Sequence, residues 1–414
     1  MARNADIHDY ESRLNSVLQR LEEDKKIIKK NKEDILRFKE QLEAEGISSG
    51  RIFKYVWTLR NLSKWLGKPF DKATKEDVVK VVARVNSMKK NNGKPYSINT
   101  IHEYLVALKR FYRFLYNMES GDYPEQVKWI KLTKKKRDQK LPEEILTVEE
   151  IKKMAQITDN SRDRALVLVL YESGCRVGEI LTLKVKHVQF DNYGAKLIVE
   201  GKTGMRPVRL VGCEPELKQW LNEHPFRDNP ESNLWIPTSD KNKFEDKPLT
   251  YVAVNHLIKR LAKRAKIKKR VYPHIFRHSR ATHLASKLTE QELKKLFGWT
   301  QDSRVASTYV HLSMRDLDEK ILELNEIKLP QSLKPKYSAK ICPRCKEKNS
   351  AVAKFCSNCS FVLDTELVYK SQEESKKYNK TISEVFRRLA EESPNALKEF
   401  ERIWNEVKVE KFSK

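Results

Sequence analysis

"YPHIFRHSRATHLA", Tyr272 to Ala285, is the stretch on which the reading of this 414-residue chain turns. Pro273 suits the first position of a helix, where its missing N–H is no loss and its fixed φ is pre-organised. On that helix His274 and Arg277 lie three apart and share one face. The segment before it, "IKRLAKRAKIKKR" (258–270), has eight Lys/Arg among thirteen residues and no acid. So dense a local charge argues against solubility tuning and for a polyanionic partner.

The whole chain agrees. Eighty-three Lys and Arg against fifty-seven Asp and Glu give a net charge of +26. An excess of that size favours nucleic acid through counterion release. No apolar run approaches the ~20 residues of a membrane span. The opening "MARNADIHDYESRLNSVL" lacks a signal-peptide core, so a cytoplasmic protein is expected.

Outward from Tyr272 the chain divides. Residues 1–38 read as a charged helical N-terminal arm, with Leu14, Val17, Leu18 and Leu21 at helical spacing. Residues 39–131 read as a helical bundle. Ile52, Val56, Leu59, Leu62 and Leu66 form one stripe, and Ile101, Leu105, Leu108, Tyr112 and Leu115 another. The aromatic residues on these stripes read as core rather than as a base-stacking platform. A basic linker, 132–143, leads into a second globular region, 144–329. There "HVQF", "AKLIVEG" and "RPVRLV" read as short strands joined by "DNYG" and "KTGM" turns, among helices. The fold class expected is mainly α with a small antiparallel sheet (α+β) in this region. A linker (330–340), a cysteine-rich module (341–362) and a charged helical tail (363–414) complete the chain.

Four stretches of the second region carry groups able to do chemistry. "ESGCRVGEILTL" sets Arg176 between Gly174 and Gly178, in a turn that opens a helix. "VEGKTGMRPVRL" puts Lys202 at the tip of a hairpin. The central helix supplies His274 and Arg277. "GWTQDSRVASTYVHL" (298–312) adds Trp299 and Tyr309. A tyrosine hydroxyl is a poor nucleophile at its ordinary pKa near ~10. Attack on phosphorus also builds charge in the transition state, so it needs fixed cations and proton donors around the phosphate. Two arginines, a lysine and a histidine are that inventory.

As a joint set, Arg176, Lys202, His274-x-x-Arg277, Gly298-Trp299 and Tyr309 resemble the tyrosine recombinase (phage-integrase, Xer-like) family over about residues 40–326. "GCRVGEILTLKVKHVQF" is similar to the family's first arginine motif, "GKTGMRPVRL" to its hairpin lysine, and "HIFRHSRATHL" to its His-x-x-Arg helix. The resemblance implies that Tyr309 forms a 3′-phosphotyrosyl link and releases a 5′-hydroxyl. It assigns the non-bridging oxygens to Arg176 and Arg277, protonation of the 5′-oxygen to Lys202, and proton transfer near the tyrosine to His274. Glu179 matches an acidic position that supports the site. Trp299 stands where most members have histidine, which points to hydrogen bonding or packing there. The resemblance further implies a helical DNA-binding domain, a tetramer on two specific double-stranded DNA sites, and no cofactor for catalysis.

Cys342, Cys345, Cys356 and Cys359 are spaced C-x2-C-x10-C-x2-C. Two such pairs close a tetrahedral thiolate site, so a structural zinc in a ribbon is expected. DNA contact, an accessory protein and a folding staple are all open as roles for that ribbon. The function expected is a site-specific DNA recombinase, for integration, excision or dimer resolution. Two rivals share features with it: a type IB topoisomerase-like relaxing activity, and a non-catalytic zinc-ribbon DNA-binding regulator.

Overall fold

The computed structural model describes residues 7–132, 144–201, 204–237, 244–312 and 337–364, with isolated positions beyond 376. The first domain is built from α1 (Tyr10–Glu23), α2 (Lys29–Ala44), α3 (Ser49–Leu66), α4 (Lys75–Asn86), α5 (Ile98–Leu115) and the short α6 (Glu125–Lys128). Thr74 and Asp77 close a reciprocal capping box that starts α4. The stripes read from sequence meet in one core: Leu59, Leu62, Phe38, Phe70, Phe111 and Tyr112 are all buried there. Asn31 pins this core, donating to Ser63 Oγ (2.9 Å) and the Lys68 carbonyl (3.0 Å) and accepting from the Phe70 N–H (2.9 Å).

The charged arm expected at residues 1–38 is not an arm. Leu14, Val17 and Leu21 of α1 are buried with the rest of the bundle, and the expected boundary falls inside α2, where Phe38 is core. The apolar stripe at helical spacing is real, but it faces the bundle, and the abundant charges that suggest a separate arm lie on the outer faces. Residues before α1 go further. Ile7 is buried in the core of the second domain, its carbonyl accepts the Tyr251 N–H (2.9 Å), and the His8 ring lies 4.9 Å from that of Tyr251. Tyr10 in turn faces Phe53 of α3 at 6.3 Å, so the start of the described chain bridges both domains.

The second domain contains α7 (Val148–Gln156), α8 (Ser161–Ser173), α9 (Val177–Leu181), β1 (Val188–Asp191), β2 (Gly194–Gly201), β3 (Gly204–Leu210), α10 (Glu214–Glu223), α11 (Tyr251–Arg264), α12 (Pro273–Ala285), α13 (Glu290–Phe297) and α14 (Val305–Leu312). It is mainly α with one small antiparallel sheet, ordered β1-β2-β3. Helix α8 is the axis: Ala165 to Tyr171 is a continuous buried run, which only a helix covered on all sides tolerates. Helices α7, α10 and α12 pack around it.

The basic segment 258–270 divides between structure and surface. Arg264 pairs with Asp159 (2.6 Å) and Lys269 with Glu150 (2.7 Å), tying α11 and the following loop to α7 and its flank. Lys259, Lys263, Lys266 and Lys268 stay exposed.

The cysteine module, with strands β4 (Lys340–Ile341) and β5 (Lys348–Asn349), sits on the second domain. Ala351 N–H donates to the Gly212 carbonyl (3.0 Å), and Val352 is buried in the domain core. Tyr337 packs edge-on against Tyr171 of α8 at 5.1 Å. The 133–143 linker and most of the 363–414 tail lie outside the described residues. Among those described, no helix is long and apolar enough to cross a membrane.

Candidate active site

Helix α8 ends because Gly174 turns the chain into the left-handed region (φ 60°). Arg176 follows at the N-cap of α9, a position that leaves a helix N-terminus without a side-chain acceptor. Glu179 supplies it from within the helix. Its Oε2 accepts both the Arg176 N–H (3.0 Å) and the guanidinium of Arg206 on β3 (2.7 Å), while its Oε1 pairs with the Arg176 guanidinium (2.8 Å). Burial opposes charge on Glu179, but Arg206 and Arg176 outweigh it and hold the carboxyl below its usual pKa.

Arg206 was not among the residues singled out by sequence. Its Nε donates to the Leu296 carbonyl (3.2 Å), so it ties the hairpin to α9 and to the end of α13. The glycines around it follow from its presence. A Cβ on Gly201 would lie 2.6 Å from Glu179 Oε1, and one on Gly298 would lie 2.8 Å from the Arg206 Cζ. Gly298 also has φ 60°, where a side chain costs about 1–2 kcal/mol. Gly298→Ala is therefore expected to lower thermal stability and displace Arg206. Unchanged melting would show that the Arg206 anchor yields freely.

Arg277 projects from α12 into the protein and is 3% exposed. Its two terminal nitrogens donate to the Gly174 (2.9 Å) and Phe297 (2.8 Å) carbonyls, and the guanidinium lies 5.3 Å from the Trp299 ring centroid. Burial, then the neighbouring Arg176, bring its pKa down to about 10, so it stays cationic at neutral pH. Arg176 reaches the same turn, both terminal nitrogens lying 3.4 Å from the Gly298 carbonyl. The two guanidiniums thus converge on Phe297-Gly298-Trp299 from different helices.

Tyr309, on α14, completes the cluster. Its ring stacks on Trp299 at 5.6 Å and 8°, and Trp299 stacks on Phe297 at 5.0 Å and 15°. Trp299 is thus packed flat between the Phe297 and Tyr309 rings. Burial lifts the Tyr309 pKa to about 12, with Arg277 pulling the other way. Ionising such a phenol outright at pH 7 costs about 7 kcal/mol, so its proton must leave as the bond to phosphorus forms.

The hydroxyl is held by His278 Nδ1 at 2.5 Å, a residue the sequence reading passed over. His274, which it selected, stands at the rim. The surrounding protein, then His278, Arg277 and Arg176, push the His274 pKa down to about 4, so its ring is neutral. Lys202 lies outside the described residues. The strands on either side pair to the end, Gly201 opposite Gly204.

The cysteine pairs also meet. The four sulfurs lie within 4.8 Å of one another, with Cys342 Sγ 3.5 Å from Cys359 Sγ and Cys345 Sγ 3.4 Å from Cys356 Sγ. Tetrahedral Zn–S bonds of about 2.3 Å set sulfurs ~3.8 Å apart, so this donor set fits zinc.

The arrangement sets two anchored guanidiniums beside a buried, oriented tyrosine, cationic donors and a hydroxyl of the kind that phosphate chemistry uses. Comparison with known proteins narrows the class. Residues 144–316 match the phage integrase family and residues 35–119 the phage integrase N-terminal SAM-like domain. Tyrosine recombinase XerA of Pyrococcus horikoshii is 31% identical over 252 residues, which is 61% of this chain and 79% of the relative. XerA of Pyrococcus furiosus is 29% identical over 291 residues, 70% of this chain and 92% of the relative. A crystal structure of XerH site-specific recombinase bound to a palindromic difH substrate, a post-cleavage complex, shares the fold at TM-score 0.52 and 19% identity, covering 78% of this chain and 98% of that one. The chain belongs to the tyrosine recombinase (phage integrase) family, and it is a site-specific DNA recombinase.

Proposed function

We propose that this recombinase cuts and rejoins strands at two specific duplex DNA sites through a 3′-phosphotyrosyl intermediate on Tyr309. The observation that carries the reading is the shared Phe297-Gly298-Trp299 turn, where both guanidiniums and the tyrosine ring meet. Arg176 and Arg277 hold the non-bridging oxygens and stabilise the charge gained in the transition state. Lys202, from the hairpin, protonates the departing 5′-oxygen. Glu179 and Arg206 position Arg176, and Trp299 orients Tyr309. The phosphotyrosine conserves bond energy, so religation needs no cofactor. The exposed lysines of 258–270 and the polar faces of the first domain hold the DNA backbone. Four protomers act together in the cytoplasm, two per site, to integrate or excise DNA.

A nicked suicide duplex tests this: the protein becomes covalently attached, and strands exchange between two copies of the cognate site. Plasmid relaxation on unrelated sequences with no exchange would instead identify a topoisomerase, and binding with no adduct a regulator.

We further propose that Cys342, Cys345, Cys356 and Cys359 hold a structural zinc, which supplies the cross-link this small module needs to fold. One zinc per chain is expected by metal analysis, lost in Cys342→Ser. Freshly purified protein without bound metal would contradict it.

A further inference from the structure

The family resemblance pointed to His274 for proton transfer, yet the structure joins a different histidine to the nucleophile. His278 lies one turn further along α12, four residues after His274, on the same helix face. Its Nδ1 is 2.5 Å from the Tyr309 hydroxyl oxygen, and the two rings are 5.9 Å apart at 40°. His274 makes no hydrogen bond to Tyr309 among the described residues. Its ring stands edge-on to His278 instead, at 4.7 Å and 89°.

The contact is constrained from both sides. Trp299 stacks flat on the tyrosine ring, so the hydroxyl can swing little out of that plane. The backbone of His278 is fixed within α12, where its carbonyl also accepts the Thr282 hydroxyl (3.1 Å). For the phenol hydroxyl to donate in this contact, the imidazole must be in the tautomer that carries its N–H on Nε2 and leaves Nδ1 as the acceptor.

We propose that His278 is a catalytic residue: it takes the Tyr309 proton during attack and returns it during religation. The step rests on the phosphotyrosyl reading above. As the Tyr309 Oη–P bond forms, the O–H bond breaks, its electron pair stays on oxygen, and the proton moves to Nδ1. The P–O5′ bond breaks and its pair on O5′ takes a proton from the general acid assigned to Lys202. In religation the 5′-hydroxyl attacks phosphorus and returns its proton to the same general acid, the Oη–P bond breaks, and the imidazolium of His278 reprotonates Oη. His274, at the rim, is then left to donate a hydrogen bond to the bound phosphate.

The test measures covalent adduct formation on the nicked suicide duplex for wild type, His278→Ala and His274→Ala, each also made with a polyfluorinated tyrosine at 309 acidic enough to be ionised at the assay pH despite the burial that raises the Tyr309 pKa. With ordinary tyrosine, His278→Ala is expected to slow adduct formation roughly 100-fold, the scale of a lost general base, with DNA affinity retained. A nucleophile already ionised needs no base. With fluorotyrosine the His278→Ala defect should therefore shrink to a few-fold, while the His274→Ala defect stays as it was. Wild-type speed in His278→Ala, or a 100-fold defect that fluorotyrosine leaves untouched, overturns the proposal. His278→Asn, which keeps a hydrogen bond to Oη but cannot carry the proton, should be as slow as His278→Ala; an Asn variant at wild-type speed also overturns it. No adduct from the wild-type protein would instead defeat the phosphotyrosyl reading itself.

Discussion

Tyr309→Phe is expected to form no covalent complex with a nicked suicide duplex, at any protein concentration or time, while binding that duplex as tightly as wild type. The substitution removes one oxygen. The ring that stacks on Trp299 remains, so α14 keeps its seat against α12 and α13. What goes is the hydrogen bond to His278. A single intramolecular bond contributes about 1 kcal/mol net, and an imidazole nitrogen left without its donor costs about 1–3 kcal/mol. Thermal melting should therefore move by a few degrees at most, and gel-shift affinity, set by lysines and arginines elsewhere, should not move. Complete loss of chemistry with fold and binding preserved is the pattern of a nucleophile. A residual adduct in Tyr309→Phe would move that role to another side chain.

Arg277→Ala is expected to lose both activity and stability. Removing one preorganised donor to a developing oxyanion costs roughly 100- to 1000-fold in rate. Arg277 is also a structural fork. Its nitrogens satisfy the Gly174 carbonyl at the end of α8 and the Phe297 carbonyl at the end of α13. Alanine leaves two buried acceptors unpaired, at about 1–3 kcal/mol each, and empties the space beneath Trp299. Single-turnover cleavage and thermal melting should therefore fall together. Arg277→Lys should restore charge but little activity, because an ammonium cannot reach both carbonyls and a phosphate in one planar geometry. Wild-type cleavage in Arg277→Ala would remove this guanidinium from the transition state.

Much of this site was legible in the chain because its residues sit on regular elements. Pro273 starts α12, and the three-residue spacing puts His274 and Arg277 on one face; Gly174 and Gly178 bracket Arg176. The same rules carried further would have reached the residues that were missed. His278 follows His274 by four on the same helix. In "MRPVRL" of β3, Arg206 shares the inward face of Val208 and Leu210, whereas Arg209 alternates outward to pair with Asp191. Strand alternation thus separates a site arginine from a surface one. Other features depend on tertiary contacts that no local pattern records. The seating of Ala351 and Val352 beside Gly212 and the reach of Ile7 into the second core are of that kind. The first helix was misjudged for a different reason: its charged outer face outnumbers the three apolar residues that bury.

The central claim, that one tyrosine carries the DNA, is tested most directly by locating the covalent bond. The trapped complex is digested with nuclease and protease, and the peptide bearing the residual nucleotide is sequenced by mass spectrometry. The account predicts a single modified peptide containing "VASTYVHL", with the nucleotide's 3′-phosphate on Tyr309. A nucleotide found on any other residue, or attached through a 5′-phosphate, would contradict it.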